Sequence, residues 1–313
     1  MASDIRVVVV TRKTPFDHLL ARHGTKGQAE FFLKGQAQSI EPFEGIAQAQ
    51  AEAVAVALAD IPPQVRRTHI DRDELDRFVF GPDDVILAVG QDGLVANVAK
   101  YLDGQPVVGV NPNPSQYDGV LCTVAPAHAW AGVRSTLDAA PTGTFERESR
   151  SLVEARRADG MVVRALNEVF IGHKTHQSAV YTLTVGGATE RQSSSGIIVS
   201  TGTGCTGWGR SIAQQRGIAE LPSPAEPALA WFVREPFPSV STGCTLDHGR
   251  LEGAATLEVR SELGNGGTVF GDGIEVDNLD FPSGQSVEVR LSARRLSLIR
   301  ARPRAAAVPR GRR

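Results

Sequence analysis

Apolar and polar positions follow two different patterns in the two halves of this chain. In the first half, short unbroken apolar runs at residues 5–10, 85–89 and 106–110 have the form of strands buried on both faces. Between them, residues 47–58 form an alanine-rich helical pattern that Pro62-Pro63 brings to an end, and residues 94–101 form a second one. Residues 65–70 read as an edge strand, 71–78 as a short charged helix, and 11–15 as a polar loop. This alternation predicts a parallel sheet with right-handed crossovers.

From Val162 onward the period changes. Short β-rich runs at residues 178–185, 196–200, 254–260 and 286–291 are separated by glycine turns, which predicts an antiparallel, sandwich-like layout. Residues 138–144, with Pro141-Thr142-Gly143, make the expected boundary between the halves. The division predicted is 1–137 for the α/β part, 138–290 for the β-rich part, and 291–313 for a C-terminal strand returning to the first part, followed by an arginine-rich tail.

Length and composition narrow the class. A chain of 313 residues is long for a single core, which agrees with two domains. Its 41% hydrophobic and 22% charged residues are those of a soluble globular protein, and a net charge of -2 supplies no basic field for general nucleic-acid binding. Cys122, Cys205 and Cys244 are odd in number and form no CxxC pair, so neither a disulfide framework nor a zinc knuckle fits. No run approaches the ~20 apolar residues of a membrane span. The expectation is a cytoplasmic protein with no membrane or nucleic-acid partner.

Three segments carry candidate chemistry. The apolar run 84–89 stops at Gly90-Gln91-Asp92-Gly93-Leu94 and passes at once into a helical pattern. Ligands of parallel sheets collect outside the carboxyl ends of the strands, and a glycine turn there lets backbone N–H groups approach phosphate. Asp92 at that turn has the chemistry to take a proton from a hydroxyl or to organise a magnesium–phosphate complex, although the same letters also make a plain Asp-Gly turn. Asn167 and Glu168 interrupt an otherwise apolar strand at 165–171; adjacent strand residues face opposite ways, so one of them meets a ligand or a buried partner. Gly202 to Gly207 satisfies G-x-G-x-x-G, but it lies in the β-rich half, and Leu221-Pro222-Ser223-Pro224 stands where a second Rossmann strand would run. Its hydroxyls and backbone donors suit a ribose, phosphate or amide ligand.

Other candidates are weaker. Cys205 has no histidine base nearby in sequence, and His173 and His176 lie in a hairpin loop without a carboxylate companion, which reads as solvent-exposed rather than metal-binding. Trp231 and Phe232 read as core or subunit interface.

In this order, the segments resemble the NAD kinase family, most closely its mitochondrial-type branch. The family's GGDGT turn, NE dipeptide and TPTGSTAY-like loop correspond to Gly90–Leu94, Asn167-Glu168 and Thr201–Trp208, and its PVLGVN strand to Pro106–Asn111. Further similar stretches are Asn111-Pro112-Asn113-Pro114, Gly119-Val120-Leu121-Cys122, residues 165–172, Ser194-Ser195-Gly196 and Val233-Arg234-Glu235-Pro236, so the likeness runs from the first strand to about Ile299. The resemblance implies an α/β N-terminal Rossmann-like domain plus a C-terminal β-sandwich domain, and a homodimer or homotetramer. It implies ATP-dependent phosphorylation of the adenosine-ribose 2′-hydroxyl of NAD, with Mg²⁺ accompanying the ATP. Asp92 then acts on the acceptor hydroxyl, and Gly90, Gln91, Gly93 and Leu94 form the phosphate turn. Asn167, Glu168, Ser195, Thr201, Thr203, Thr206 and Trp208 serve the dinucleotide.

The chain departs from the family pattern at Gln91 for a glycine, Leu94 for a threonine, Cys205 for a serine, Trp208 for a tyrosine, and Ser195 where many members have aspartate. Two readings follow. One is an NAD kinase-type phosphotransferase, and the other a nucleotide-binding homologue whose kinase activity is lost or altered.

Overall fold

The structure, a computed structural model, describes residues 5–116, 119–137, 143–274 and 277–302. Most of the expected 138–144 boundary and the arginine-rich tail from 303 onward lie outside the described residues.

The N-terminal part is a parallel sheet in the order β2 (Arg66–Asp71), β1 (Arg6–Thr11), β3 (Asp84–Val89), β4 (Pro106–Val110). Every residue of β3 is buried, with Ile86 and Ala88 packed into one core cluster and Val85, Leu87 and Val89 into another. That two-sided burial is why the run is apolar without alternation. Around the sheet stand α1 (Pro15–His23), α2 (Lys26–Lys34), α3 (Glu41–Ala59), α4 (Asp92–Ala99) and α5 (Ala129–Ser135).

Several elements differ from the sequence expectation. The "polar loop" before residue 15 is the cap of α1: Thr14 accepts from Asp17 N at 3.2 Å and Asp17 answers by accepting from Thr14 N at 2.7 Å, with Pro15 in the first turn. The charged helix at 71–78 is a single 3-10 turn, Arg72–Glu74. The helix expected from Leu94 begins at Asp92, so the candidate carboxylate belongs to its first turn.

The remaining strands are β5 (Phe145–Arg157), β6 (Val162–Ala165), β7 (Glu168–His173), β8 (Ala179–Val185), β9 (Ala188–Ser194), β10 (Ile197–Thr201), β11 (Ala228–Val233), β12 (His248–Glu252), β13 (Thr256–Ser261), β14 (Gly267–Gly271), β15 (Asn278–Asp280) and β16 (Ser286–Ala301). One helix, α6 (Trp208–Arg216), follows β10. Strands β12-β11-β10-β7-β14-β15 form an antiparallel sheet. Its inner residues Val169, Ile171, Val199, Trp231 and Val269 interdigitate with Val153, Leu183, Val259 and Val287 from the opposing sheet. This is the core of a β-sandwich.

Strand β16 joins the two parts. Residues 286–290 pair antiparallel with β13, residues 297–299 pair parallel with β4, and β5 lies along its other edge from Arg157 to Phe145. The architecture is a Rossmann-like α/β unit and a β-sandwich sharing one continuous ten-stranded sheet.

Candidate functional site

Strand β3 delivers its chain into Gly90 and Gln91, and α4 begins at once, so Asp92 sits outside the carboxyl ends of the parallel strands. Its carboxylate is held by a neighbouring loop. Oδ2 accepts from Val120 N at 2.8 Å, and Oδ1 accepts from Leu121 N and Cys122 N, each at 2.8 Å. The loop can approach so closely because Gly119 has φ +64 and a Cβ there would run into the Cys122 carbonyl. Gly90, Gln91, Asp92 and Gly93, with Asn111, Gln116, Gly119, Val120 and Cys122, line a cleft of about 500 Å³.

Leu94 is not part of this cleft. It is 1% exposed and packs with Leu121, Cys122 and Leu166 in the core beside α4, while its N–H donates to Gln91 O at 2.9 Å. The expectation that Leu94 meets phosphate is corrected on that ground: a side chain of this size and apolarity is worth more in the core than at a polar rim.

Asn167 and Glu168 lie at a bend rather than inside one strand, because β6 ends at Ala165 and β7 begins at Glu168. Asp272 makes that bend. With φ +54 it is one of three non-glycine residues in the left-handed region among those described, and its carboxylate accepts from Leu166 N at 2.9 Å and Asn167 N at 2.7 Å. Its own N–H donates to Glu168 O at 3.0 Å. The backbone polarity of the bend is thereby satisfied from one side. The side chains of Asn167 and Glu168 make no hydrogen bond with any described residue, although both are half-buried. Burial, and then the nearby Asp272 carboxylate, push the Glu168 carboxyl up to about 7. Burial also raises Asp272 to about 6, against the pull of the Leu166 and Asn167 N–H groups. Glu168 is therefore able to gain or lose a proton near neutrality.

The glycine-rich loop packs onto the same bend. Thr201 N donates to Asn167 O at 2.8 Å, the Thr201 hydroxyl donates to Leu166 O at 2.5 Å, and that hydroxyl accepts from Thr203 N and Gly204 N at 3.0 and 3.2 Å. Gly204 lies so close that a Cβ would strike the Asn167 carbonyl. Thr203 is buried, and its hydroxyl accepts from Arg150 at 3.2 Å. Thr201 and Thr203 thus build the loop, whereas Thr206 and Trp208 are open to solvent, with Arg234 stacked 5.3 Å from the Trp208 ring centroid and Ser195 N bonded to Arg234 O at 2.9 Å. The two groups of candidates are linked through Leu94, Leu121, Cys122 and Leu166, which share one core cluster.

The weaker candidates resolve differently. Cys205 is buried, and burial with Glu168 beside it pushes its thiol up to about 12, which leaves it inert as a nucleophile. His173 is not in an exposed loop. It ends β7, is buried, and accepts from Thr175 N at 3.0 Å; the exposed residues are Lys174 to Ser178. Trp231 and Phe232 are core residues. The sequence reading missed Asp272, whose one local sign is the Asp272-Gly273 pair ending an apolar run, and the amides of Val120 to Cys122, for which side-chain patterns carry no sign.

No protein-family model matches the chain. Its fold is that of NAD(H) kinases. A crystal structure of yeast NADH kinase complexed with NADH superposes with TM-score 0.60 at 14% identity, covering 95% of this chain and 84% of its own. An NAD kinase from Archaeoglobus fulgidus in complex with ATP gives TM-score 0.57 at 18% identity, covering 95% and 93%. In sequence the chain is a homologue of proteins named NAD kinase 2, mitochondrial. That of Rattus norvegicus is 26% identical over 313 aligned residues, 74% of this chain and 73% of the relative. That of Homo sapiens is 27% identical over 242, which is 53% of this chain and 55% of the relative.

Proposed function

We propose that the protein is a phosphotransferase of NAD kinase type, moving the γ-phosphoryl group of ATP onto the 2′-hydroxyl of the adenosine ribose of NAD to give NADP. The observation that carries this reading is the Asp92 carboxylate, fixed by three backbone N–H groups beside a cleft at the carboxyl ends of the sheet. The acceptor oxygen attacks the γ-phosphorus, Asp92 takes the hydroxyl proton, and ADP leaves. Asp92 Oδ2 has one N–H donor and so retains a lone pair for that proton.

Gly90, Gln91 and Gly93 line the donor side, and Mg²⁺ enters with the ATP. Asp92 is the carboxylate on this side that would face the cation, and among the described residues no three His, Cys, Asp or Glu side chains converge as a protein cage. Bound there, Mg²⁺ would supply neutralisation of charge on the transferred group. Asn167 and Glu168, whose side chains are free of protein hydrogen bonds among the described residues, hold the adenosine ribose. Ser195, Thr206 and Trp208 line the dinucleotide side, on a loop built by Thr201 and Thr203. Among the described residues no helix is long and apolar enough to cross a membrane, and the proposal includes a cytoplasmic homodimer or homotetramer.

The alternative, a nucleotide-binding homologue with lost or altered transfer, is favoured by the turn itself. Gln91 adds a side chain where a glycine would leave backbone open, and Leu94 supplies no hydroxyl. Incubation of the purified protein with Mg-ATP and either NAD or NADH, read by mass spectrometry for the gain of one phosphate, decides between them. Asp92→Asn is expected to lower turnover by roughly 10²- to 10⁴-fold with NAD affinity retained. Unchanged turnover removes Asp92 from the chemistry, and NAD binding with no transfer to either acceptor establishes the alternative.

A further inference from the structure

Arg12 has no role in the site as described, yet it stands at its edge. It follows the last residue of β1, outside the carboxyl end of a parallel strand, and its Nη2 donates to Gln91 Oε1 at 2.8 Å. Gln91 is the N-cap residue of α4 with extended backbone (φ -89, ψ 167), but its side chain makes no capping bond. It is spent on Arg12 instead.

Arg12 also joins two further hollows to the Asp92 cleft. The first is lined by Arg12, Pro15, Ile46, Gln91, Pro112 and Gln116 among others, and shares Gly90, Gln91 and Gln116 with that cleft. The second, of about 180 Å³, is lined by Arg12, Lys13, Pro15, His18, Arg72 and Asp73. The first hollow, of about 30 Å³, shares Arg12 and Pro15 with the second, so Arg12 stands between the Asp92 side and a rim of paired cations and carboxylates. There Lys13 engages Asp73 at 2.9 Å and Arg72 approaches the same carboxylate at 3.7 Å, with Asp71 and Asp17 close enough to act on Lys13 as well. Asp17, the other acid near the start of α1, is occupied with the Thr14 cap. Among the described residues Arg12 has no carboxylate partner, so its guanidinium fork is held in position by a neutral amide with its charge uncompensated.

We propose that Arg12, aimed by Gln91, is a clamp for a polyphosphate chain bound beside the Asp92 cleft. The inference rests on the phosphotransferase reading and deepens it: Gln91 is then no defect in the phosphate turn but the anchor of a side-chain clamp that takes over from open backbone. A guanidinium suits this use because its planar fork grips two phosphate oxygens at once and its charge is permanent. The ligand chemistry is a run of phosphates, found equally in a nucleoside triphosphate and in inorganic polyphosphate.

Calorimetric titration of Mg-ATP and of inorganic tripolyphosphate into the wild type, Arg12→Ala, Arg12→Lys and Gln91→Ala tests it, with thermal melts as the check on folding. Arg12→Ala is expected to weaken whichever of the two ligands the wild type binds by roughly 10- to 100-fold, with Arg12→Lys and Gln91→Ala between it and the wild type and with NAD affinity unchanged. Loss for ATP alone assigns the clamp to a nucleoside triphosphate; loss for both assigns it to the phosphate chain itself. Wild-type affinity in Arg12→Ala, or a wild type that binds neither ligand, overturns the proposal. The two readings fail separately. A wild type that makes NADP with Arg12→Ala binding its donor normally removes the clamp and keeps the function, while Arg12-dependent tripolyphosphate binding without NADP formation does the reverse.

Discussion

Glu168 is the residue at which folding and ligand binding compete most directly. Its carboxyl is enclosed, meets no described hydrogen-bond donor and faces the carboxyl of Asp272, so the neutral form is favoured up to about pH 7. A carboxyl whose folded pKa lies above its unfolded value of 4.5 binds more protons in the folded state. Its contribution to stability is complete below pH 4.5 and is lost as pH rises through about 7. Glu168→Gln keeps the shape of the neutral acid and cannot ionise, so its unfolding free energy should be flatter than the wild type's across that window. Urea titrations at a series of pH values compare the slopes, and parallel curves for the two proteins contradict the argument. Asn167→Ala acts differently. It should weaken NAD by about 1–3 kcal/mol, the cost of leaving ligand polar groups unpaired in a desolvated site, and an unaltered calorimetric affinity takes Asn167 out of the site.

Legibility in the sequence divides at this same scale. Asp92 and Asn167-Glu168 stand out as candidates because polar residues in apolar runs are costly without a purpose. Leu94 was misplaced because a residue two positions after Asp92 was assigned to the ligand by its motif position. In a helix that starts at Asp92, that position turns toward the core. Asp272 was missed because its partners, Leu166 and Asn167, are over a hundred residues away, and tertiary pairing leaves no local period to read.

At the scale of elements, Asp272 determines where β6 ends and β7 begins. A single residue in the left-handed region serves as acceptor for two successive N–H groups and donor to the next carbonyl, which converts a continuous apolar run into a bend that projects Asn167 and Glu168. Asparagine tolerates that backbone and keeps a carbonyl acceptor; alanine does neither. Asp272→Ala should therefore lose about 1–3 kcal/mol of stability and bind NAD more weakly, and Asp272→Asn, which keeps one of the two acceptor oxygens and turns an NH2 toward the other N–H, should recover only part of both. Far-UV circular dichroism, denaturant titration and NAD calorimetry on the two variants separate the effects. An Asp272→Ala protein that is destabilised but binds NAD as the wild type does would show that the bend holds without it. The same local logic explains the elements that the sequence did reveal. Strand β3 is buried on both faces and α3 ends just before Pro62-Pro63, so each is defined by neighbours close in sequence. The two helices between residues 15 and 34 were not read, since α1 has no buried residue and α2 buries only Ala29 and Leu33, too little apolar surface to leave a periodic signature.

For the whole molecule, β16 is the strand on which both parts depend. Its first half lies between β13 and β5 within the sandwich, and its second half lies between β4 and β5 within the α/β sheet. The sequence expectation divided this stretch into a strand over residues 286–291 and a C-terminal strand returning to the first part, whereas the structure has one strand, interrupted in its apolar pattern by Arg294 and Arg295, where the pairing with β5 also shifts register. One backbone thus carries hydrogen bonds for two cores, and the two cannot open independently without breaking it. Leu298 is fully buried in the cluster that also contains Leu94, Leu166 and the cleft-lining Cys122. Leu298→Ala leaves a cavity there and should cost about 2–5 kcal/mol. If β16 couples the two parts, differential scanning calorimetry of the variant will give one transition, shifted as a whole, and fluorescence of Trp231 in the sandwich, read with Trp130 and Trp208 replaced by phenylalanine, will follow the same curve as the α/β helices seen by circular dichroism. A variant with two separated transitions, in which the sandwich keeps its wild-type midpoint while the α/β part melts early, would mean that the shared strand transmits no stability between them and that the site rests on two independently folding halves.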